Sequence, residues 1–142
     1  MTKILLVDDS KFLRLAVERA LSRAGYAVST AADGEHALEM ARERMPDVIL
    51  LDMLLPKMAG PDVLKALKAD PATAEIAVVV LTGLSQKNAV RLQQDGAFAF
   101  LEKAELGLDK GSDKLLAALA EIVRTLKLEV PAPPAAAAAA SK

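Results

Sequence analysis

Cysteine and tryptophan are absent from this 142-residue chain, and three phenylalanines and one tyrosine are its only phenyl rings. Without cysteine there is no disulfide, no thiolate nucleophile and no cysteine-based metal site. So few rings leave little material for a platform on which nucleic-acid bases stack. Charge excess is missing too: 18 basic against 19 acidic side chains give a net charge of −1. Direct nucleic-acid binding is therefore not expected. No apolar run has the length of a membrane span, and MTKILLVDDSK reaches paired aspartates after four apolar residues, too soon for a signal peptide. The expected location is the cytoplasm, away from membranes.

What remains is a chain 53% hydrophobic and 26% charged, enough to bury one core. Residues 1–129 read as a single domain, and 130–142, rich in proline and alanine, read as a flexible tail. Within the domain, short apolar runs alternate with segments of helical period. The runs are residues 4–7, 26–31, 48–51, 76–81 and 97–101. Such continuous runs suit strands covered on both faces, as in a parallel sheet.

Helices are expected between the runs. Ser10 caps the first, whose apolar residues recur at spacings of three and four, and Gly25 stops it. Asp33 caps the second, ahead of Pro46, and the third runs from about Pro61 to Ala69. Ser85 opens the fourth, and Ser112 or Asp113 opens the fifth. Strand–helix repeats joined by right-handed crossovers predict an α/β, doubly wound, five-stranded parallel sheet, with the flavodoxin-like order 2-1-3-4-5 as the natural choice.

The residues that end the runs carry the chemistry. The first run leads into Asp8 and Asp9, the third into Asp52, the fourth into Thr82 and the fifth into Lys103. Strand ends in a parallel sheet point one way, so these groups are expected in one cleft at the switch point of the sheet. Ionised carboxylates brought together need a counter-charge. Oxygen ligands without cysteine suit Mg²⁺ or Mn²⁺, and both ions readily bridge to phosphate. Lys103 and Thr82 are suited to phosphate oxygens, and Asp52 to a nucleophile as well as a ligand.

At this point the chain resembles the response-regulator receiver domains of two-component signalling. The resemblance covers about residues 2–128 and rests on LLVDDS, LLDMLLPKMAG, VVVLTG and FAFLEK, in that order. It implies a bacterial, chemotaxis-regulator-like switch in which Asp52 accepts a phosphoryl group from a phosphohistidine. By the same resemblance, Asp8, Asp9, Asp52 and the backbone carbonyl of Leu54 hold Mg²⁺, and Lys103 contacts the phosphoryl group. Thr82 moves towards it and Phe100 shifts inward. The implied partners are a sensor histidine kinase or a histidine phosphotransfer protein and an unknown downstream target. Lys11, Phe12 and Leu15 are expected to meet the donor, with Phe12 equally readable as exposed or buried. Arg91 and Gln94 are expected on the output face, and the protein as a monomer or a weak, phosphorylation-dependent dimer.

The resemblance is incomplete at one place. Such domains usually have a proline after the lysine, in a cis peptide; here Ala104 follows Lys103, and the segment AELGLDKGSDK looks longer than the usual turn. A cis bond before a non-proline residue costs about 3 kcal/mol, so this peptide is either trans or strained. Leu54 and Leu84, both apolar, suggest slow self-hydrolysis. The expected role is a stand-alone phosphoprotein switch, not an enzyme, catalysing only its own phosphorylation and dephosphorylation. Two alternatives stand beside it: a phosphate-independent interaction module, and a Mg²⁺-dependent aspartyl phosphatase. Leu54 counts against the second, since such enzymes commonly have an acid there.

Overall fold

The computed structural model describes residues 2–53, 55, 58, 60–82, 96–106, 111 and 113–128. Its strands are β1 (Lys3–Val7), β2 (Ala27–Ala31), β3 (Val48–Asp52), β4 (Ala77–Thr82) and β5 (Ala99–Glu102). They form one parallel sheet in the order β2-β1-β3-β4-β5, the flavodoxin-like arrangement expected. The helices are α1 (Lys11–Arg23), α2 (Gly34–Arg44), α3 (Gly60–Ala69), α4 (Lys103–Leu106) and α5 (Asp113–Thr125). The helix expected to open at Ser85 and the tail fall outside the described residues.

Period-two alternation divides the core into two layers. Leu5, Val7, Ile49, Leu51, Val78 and Val80 face α2 and α3. Ile4, Leu6, Val48, Leu50, Val79 and Leu81 face α1 and α5. Each fully buried side chain of this size contributes about 1.5–3 kcal/mol of transfer free energy, so both layers are needed to offset chain entropy. Continuous burial holds for β3 and for residues 4–7 of β1, but β2 and β5 are edge strands and most of their residues are only partly covered.

Local chemistry sets the helix ends. The Ser10 hydroxyl accepts from the Leu13 amide at 3.4 Å and the Asp33 carboxylate from the His36 amide at 2.9 Å, so both expected caps are present. Gly25 follows α1 with φ 102°, the left-handed backbone that ends many helices. Met45 ends α2 in a similar conformation, φ 47°, without glycine's freedom. The helical turn α4 was not expected: Lys103 starts a short helix directly after β5. No cis peptide occurs among the described residues, so the Lys103–Ala104 bond is trans.

Candidate functional site

The carboxyl ends of β1, β3 and β5 bring together the charged groups read from the sequence. Backbone pairing fixes their roots. Asp52 is the last residue of β3 and pairs in register with Leu81 of β4, and the next amide, Met53, donates to the Leu81 carbonyl at 3.2 Å. Asp8 extends β1 by one step through its amide, which donates to the Ala31 carbonyl of β2 at 3.1 Å. These acids therefore stand on the rigid edge of the sheet rather than on loose loops.

One carboxylate oxygen each from Asp8, Asp9 and Asp52 lies within 4.8 Å of the others. Asp8 and Asp52 are buried while Asp9 is exposed. Lys103 reaches across β4 from the end of β5 and sets its ammonium 3.0 Å from Asp52 Oδ2 and 3.9 Å from Asp8 Oδ2. One lysine against three carboxylates leaves the cluster net negative.

Asp8 shows the strain of this arrangement. Its Oδ1 accepts from the Ser10 amide at 2.9 Å, but Oδ2 is buried and has no hydrogen-bond partner among the described residues. Burial pushes the Asp8 carboxyl above its ordinary value; Asp52 and Asp9 push the same way, against the Ser10 amide and Lys103. An orphaned buried oxygen beside two further carboxylates fits a hard divalent cation, which takes oxygen ligands and keeps several waters. The residues present therefore fit Mg²⁺ or Mn²⁺.

α3 closes the site from below. The Gly60 amide donates to the Met53 carbonyl at 3.2 Å. A Cβ on Gly60 would lie 2.5 Å from Met53 Cα and 2.9 Å from the Asp52 carbonyl oxygen, so only glycine lets the helix approach the backbone of Asp52 this closely.

Of the other residues singled out, Thr82 ends β4, between the strands of Asp52 and Lys103. Phe100, in β5, is partly buried against the layer under α2 and α3. Lys11, Phe12 and Leu15 are exposed on α1, and Phe12 is 90% accessible, which decides between its two readings. Leu54, Leu84, Arg91 and Gln94 lie outside the described residues.

One residue escaped the sequence reading. Arg14 Nη1 donates to the backbone carbonyl of Asp8 at 2.8 Å. A signal for it was present: the first turn of α1 holds Lys11 and Arg14 but no acid, against the preference of a helix N-terminus. A cation there needs an acceptor upstream, and the nearest is the acidic turn.

Known proteins resemble this chain in sequence and in fold. The family model described as the response regulator receiver domain matches residues 4–119. The response regulator PleD of Caulobacter vibrioides is 42% identical over 102 residues, covering 71% of this chain but 22% of that protein. The DNA-binding dual master transcriptional regulator RpaA of Synechocystis is 38% identical over 104 residues, covering 72% of this chain and 43% of that protein. The chain thus spans well under two thirds of these relatives. Among solved structures, the chemotaxis response regulator CheY4 of Vibrio cholerae superposes with a TM-score of 0.77 at 33% identity, covering 86% of this chain and 98% of that one.

Proposed function

This chain belongs to the response regulator receiver family, and from that premise we propose that it is a phospho-accepting switch with Asp52 as its acceptor. The observation that carries the reading is the cluster itself: Asp8, Asp9 and Asp52 within 4.8 Å, with Lys103 at 3.0 Å from Asp52. Domains of this family are signalling switches rather than metabolic enzymes. The site supports that role, because it offers a nucleophile in Asp52 and charge compensation in Lys103.

In the proposed step an Asp52 carboxylate oxygen attacks phosphorus of a phosphohistidine on a sensor kinase or phosphotransfer protein. A P–O bond forms, the P–N bond breaks, and the imidazole nitrogen leaves with the electron pair and takes a proton from solvent water. Lys103 turns from the Asp52 carboxylate to the phosphoryl oxygens, which carry more charge, and so stabilises them. Asp8, Asp9 and Asp52, with the carbonyl of Leu54, would hold Mg²⁺ or Mn²⁺, which supplies charge neutralisation for the incoming phosphoryl group. Thr82 is assigned to the bound phosphoryl group, and Phe100, half-buried at the sheet edge, to the readout.

Lys11, Phe12 and Leu15 form the proposed donor-docking surface, since an exposed phenylalanine beside a cation suits a partner contact. Arg91 and Gln94 belong to the proposed output face, which meets a downstream protein, as a monomer or through weak dimerisation on phosphorylation. The switch is assigned to residues 1–129 and to the cytoplasm; among the described residues no helix is long and apolar enough to cross a membrane.

The deciding experiment is intact mass after incubation with acetyl phosphate and Mg²⁺, beside Asp52→Asn and a chelated control. A single phosphoryl adduct on the wild type, absent from both controls, is expected. An adduct that persists on Asp52→Asn would reassign the acceptor, and no adduct under any donor would favour a phosphate-independent module.

A further inference from the structure

Asp8 is held at every polar atom but one. Its amide donates to the Ala31 carbonyl at 3.1 Å, its Oδ1 accepts from the Ser10 amide at 2.9 Å, and its carbonyl accepts from Arg14 Nη1 at 2.8 Å. Only Oδ2, buried and without a hydrogen bond among the described residues, is left to face Asp9, Asp52 and, at 3.9 Å, Lys103. Two of these restraints have backbone donors and would survive a side-chain change anywhere but at Asp8 itself. The third comes from a side chain reaching back from the first turn of α1, and it is charge-assisted, hence stronger than a neutral bond.

We propose that Arg14 is a positioning residue for the divalent cation: by clamping the Asp8 carbonyl it fixes the β1–α1 turn so that Asp8 Oδ2 and Asp9 present their oxygens to the ion. This rests on the cation-dependent phospho-acceptor reading above and names one residue that makes the site work. Outer hydrogen bonds to a ligand residue orient it, and losing them typically weakens metal binding by about ten- to a hundredfold. A free turn would instead have to be ordered at the moment of binding, which lowers affinity by the ordering cost.

A competing account of Arg14 has the opposite sign. A guanidinium near three carboxylates repels an incoming dication, so deleting it should tighten binding if its charge is what matters. Arg14 is only half-buried, and at physiological salt water and ions screen such through-space effects, whereas the hydrogen bond is not screened away. The positioning effect should therefore dominate. The two accounts differ in direction, not only in size.

The test is the affinity for Mn²⁺, read by electron paramagnetic resonance of the free ion at physiological salt, for the full chain and for Arg14→Ala, Arg14→Lys and Arg19→Ala. Arg19 sits exposed on the same helix and controls for loss of one positive charge. About tenfold weaker binding is expected in Arg14→Ala, a smaller loss in Arg14→Lys, and none in Arg19→Ala. In metal-free Arg14→Ala the Ser10 amide should also exchange faster, because its acceptor Asp8 is no longer held. Equal or tighter Mn²⁺ binding in Arg14→Ala with an unchanged thermal midpoint would overturn the proposal. If Arg14→Ala does not fold, Arg14→Lys decides: full wild-type affinity there overturns it, and weakened affinity sustains it. A wild type that binds no Mn²⁺ at all would sink the underlying cation reading, a failure distinct from that of the Arg14 clamp.

Discussion

Lys103 and Asp52 are joined across a strand: their charged atoms lie 3.0 Å apart although β4 separates β3 from β5 in the sheet. The Asp52 side chain is 4% exposed and that of Lys103 29%. The carboxylate has thus given up its hydration, while the ammonium keeps part of its own. A buried anion with a partly solvated counter-ion is a poised arrangement. In the proposed step the lysine can follow charge outward as the carboxylate acquires a phosphoryl group, and no buried cation is stranded.

Lys103→Met tests that asymmetry. Removing one preorganised charge at a site of developing charge typically costs about a hundredfold or more in rate, so phosphoryl uptake from acetyl phosphate should fall by at least that order. Stability of the metal-free protein should drop by about 1–3 kcal/mol, less than for a fully buried pair because Lys103 is partly solvated. Urea unfolding with chelator measures the second effect and initial phosphorylation rates the first. Unchanged uptake would remove Lys103 from the proposed chemistry.

The raised carboxyl of Asp8 predicts a pH dependence in metal-free protein. Burial is the main cause, so the folded chain holds this proton more tightly than the unfolded chain, whose value is near 3.8. The stabilising contribution is complete below that value and is lost as pH rises through the higher folded one. Asp8→Asn cannot lose it. The variant should therefore gain stability relative to wild type as pH climbs towards neutrality, and excess Mg²⁺ should offset the gain by binding the wild type more tightly. Paired denaturation curves in chelator across pH are the measurement. A difference that stays flat with pH would mean that Asp8 is not desolvated as described.

The sequence carried most of this architecture because the physics was local. Val48–Leu51 read as a buried strand, Ser10 and Asp33 announced caps, and Gly25 a helix end, so the α/β class followed, with the strand order as its natural choice rather than a deduction. Site residues were legible because parallel strands collect their carboxyl ends on one edge. Two features were not. The turn α4 lies in Lys103–Leu106, where a lone helical turn has no periodicity to read. Arg14 acts on a backbone carbonyl six residues earlier, a relation set by how α1 folds back over the turn and not by any spacing of side chains. Exposure was likewise hidden: Phe12 sits beside Leu13 in an apolar run, but it is the face of Val17 and Leu21, five and nine residues on, that is buried.

Gly60→Ala probes the seat of α3. Its Cβ would meet Met53 Cα at 2.5 Å and the Asp52 carbonyl oxygen at 2.9 Å, both backbone atoms that cannot swing aside. The helix must then lift or the Asp52 turn must shift. Overpacking of this kind costs about 1–3 kcal/mol. Because the shift occurs beside Asp52, Mg²⁺ affinity should fall with stability. A variant as stable as wild type, with unchanged Mg²⁺ titration, would contradict the contact.

Met45→Gly should act in the opposite direction. Met45 closes α2 at φ 47° and is exposed, so its side chain gives up little burial when deleted. The left-handed conformation costs a non-glycine residue about 1–2 kcal/mol, which glycine recovers in part against its greater freedom when unfolded. A gain of about 0.5–1 kcal/mol is expected, with phosphoryl uptake unaltered because Met45 lies at the opposite end of the sheet from Asp52. A loss of stability would show that the methionine side chain packs more than its exposure implies.

Phe12→Ala separates docking from chemistry. At 90% exposure the ring buries almost nothing in the free protein, so its loss should change stability by no more than about 0.5 kcal/mol. The same ring stands on the first turn of the helix that follows the acidic pair, the surface proposed to meet the phosphodonor protein. An exposed aromatic that fills a partner's pocket typically contributes more than 1 kcal/mol, or about tenfold in transfer rate. With acetyl phosphate, which needs no docking, the rate should be unchanged; with a phosphorylated histidine phosphotransfer protein it should fall about tenfold. An equal loss with both donors would place Phe12 in the chemistry rather than the interface. No loss with the protein donor would move the docking surface off this face of α1.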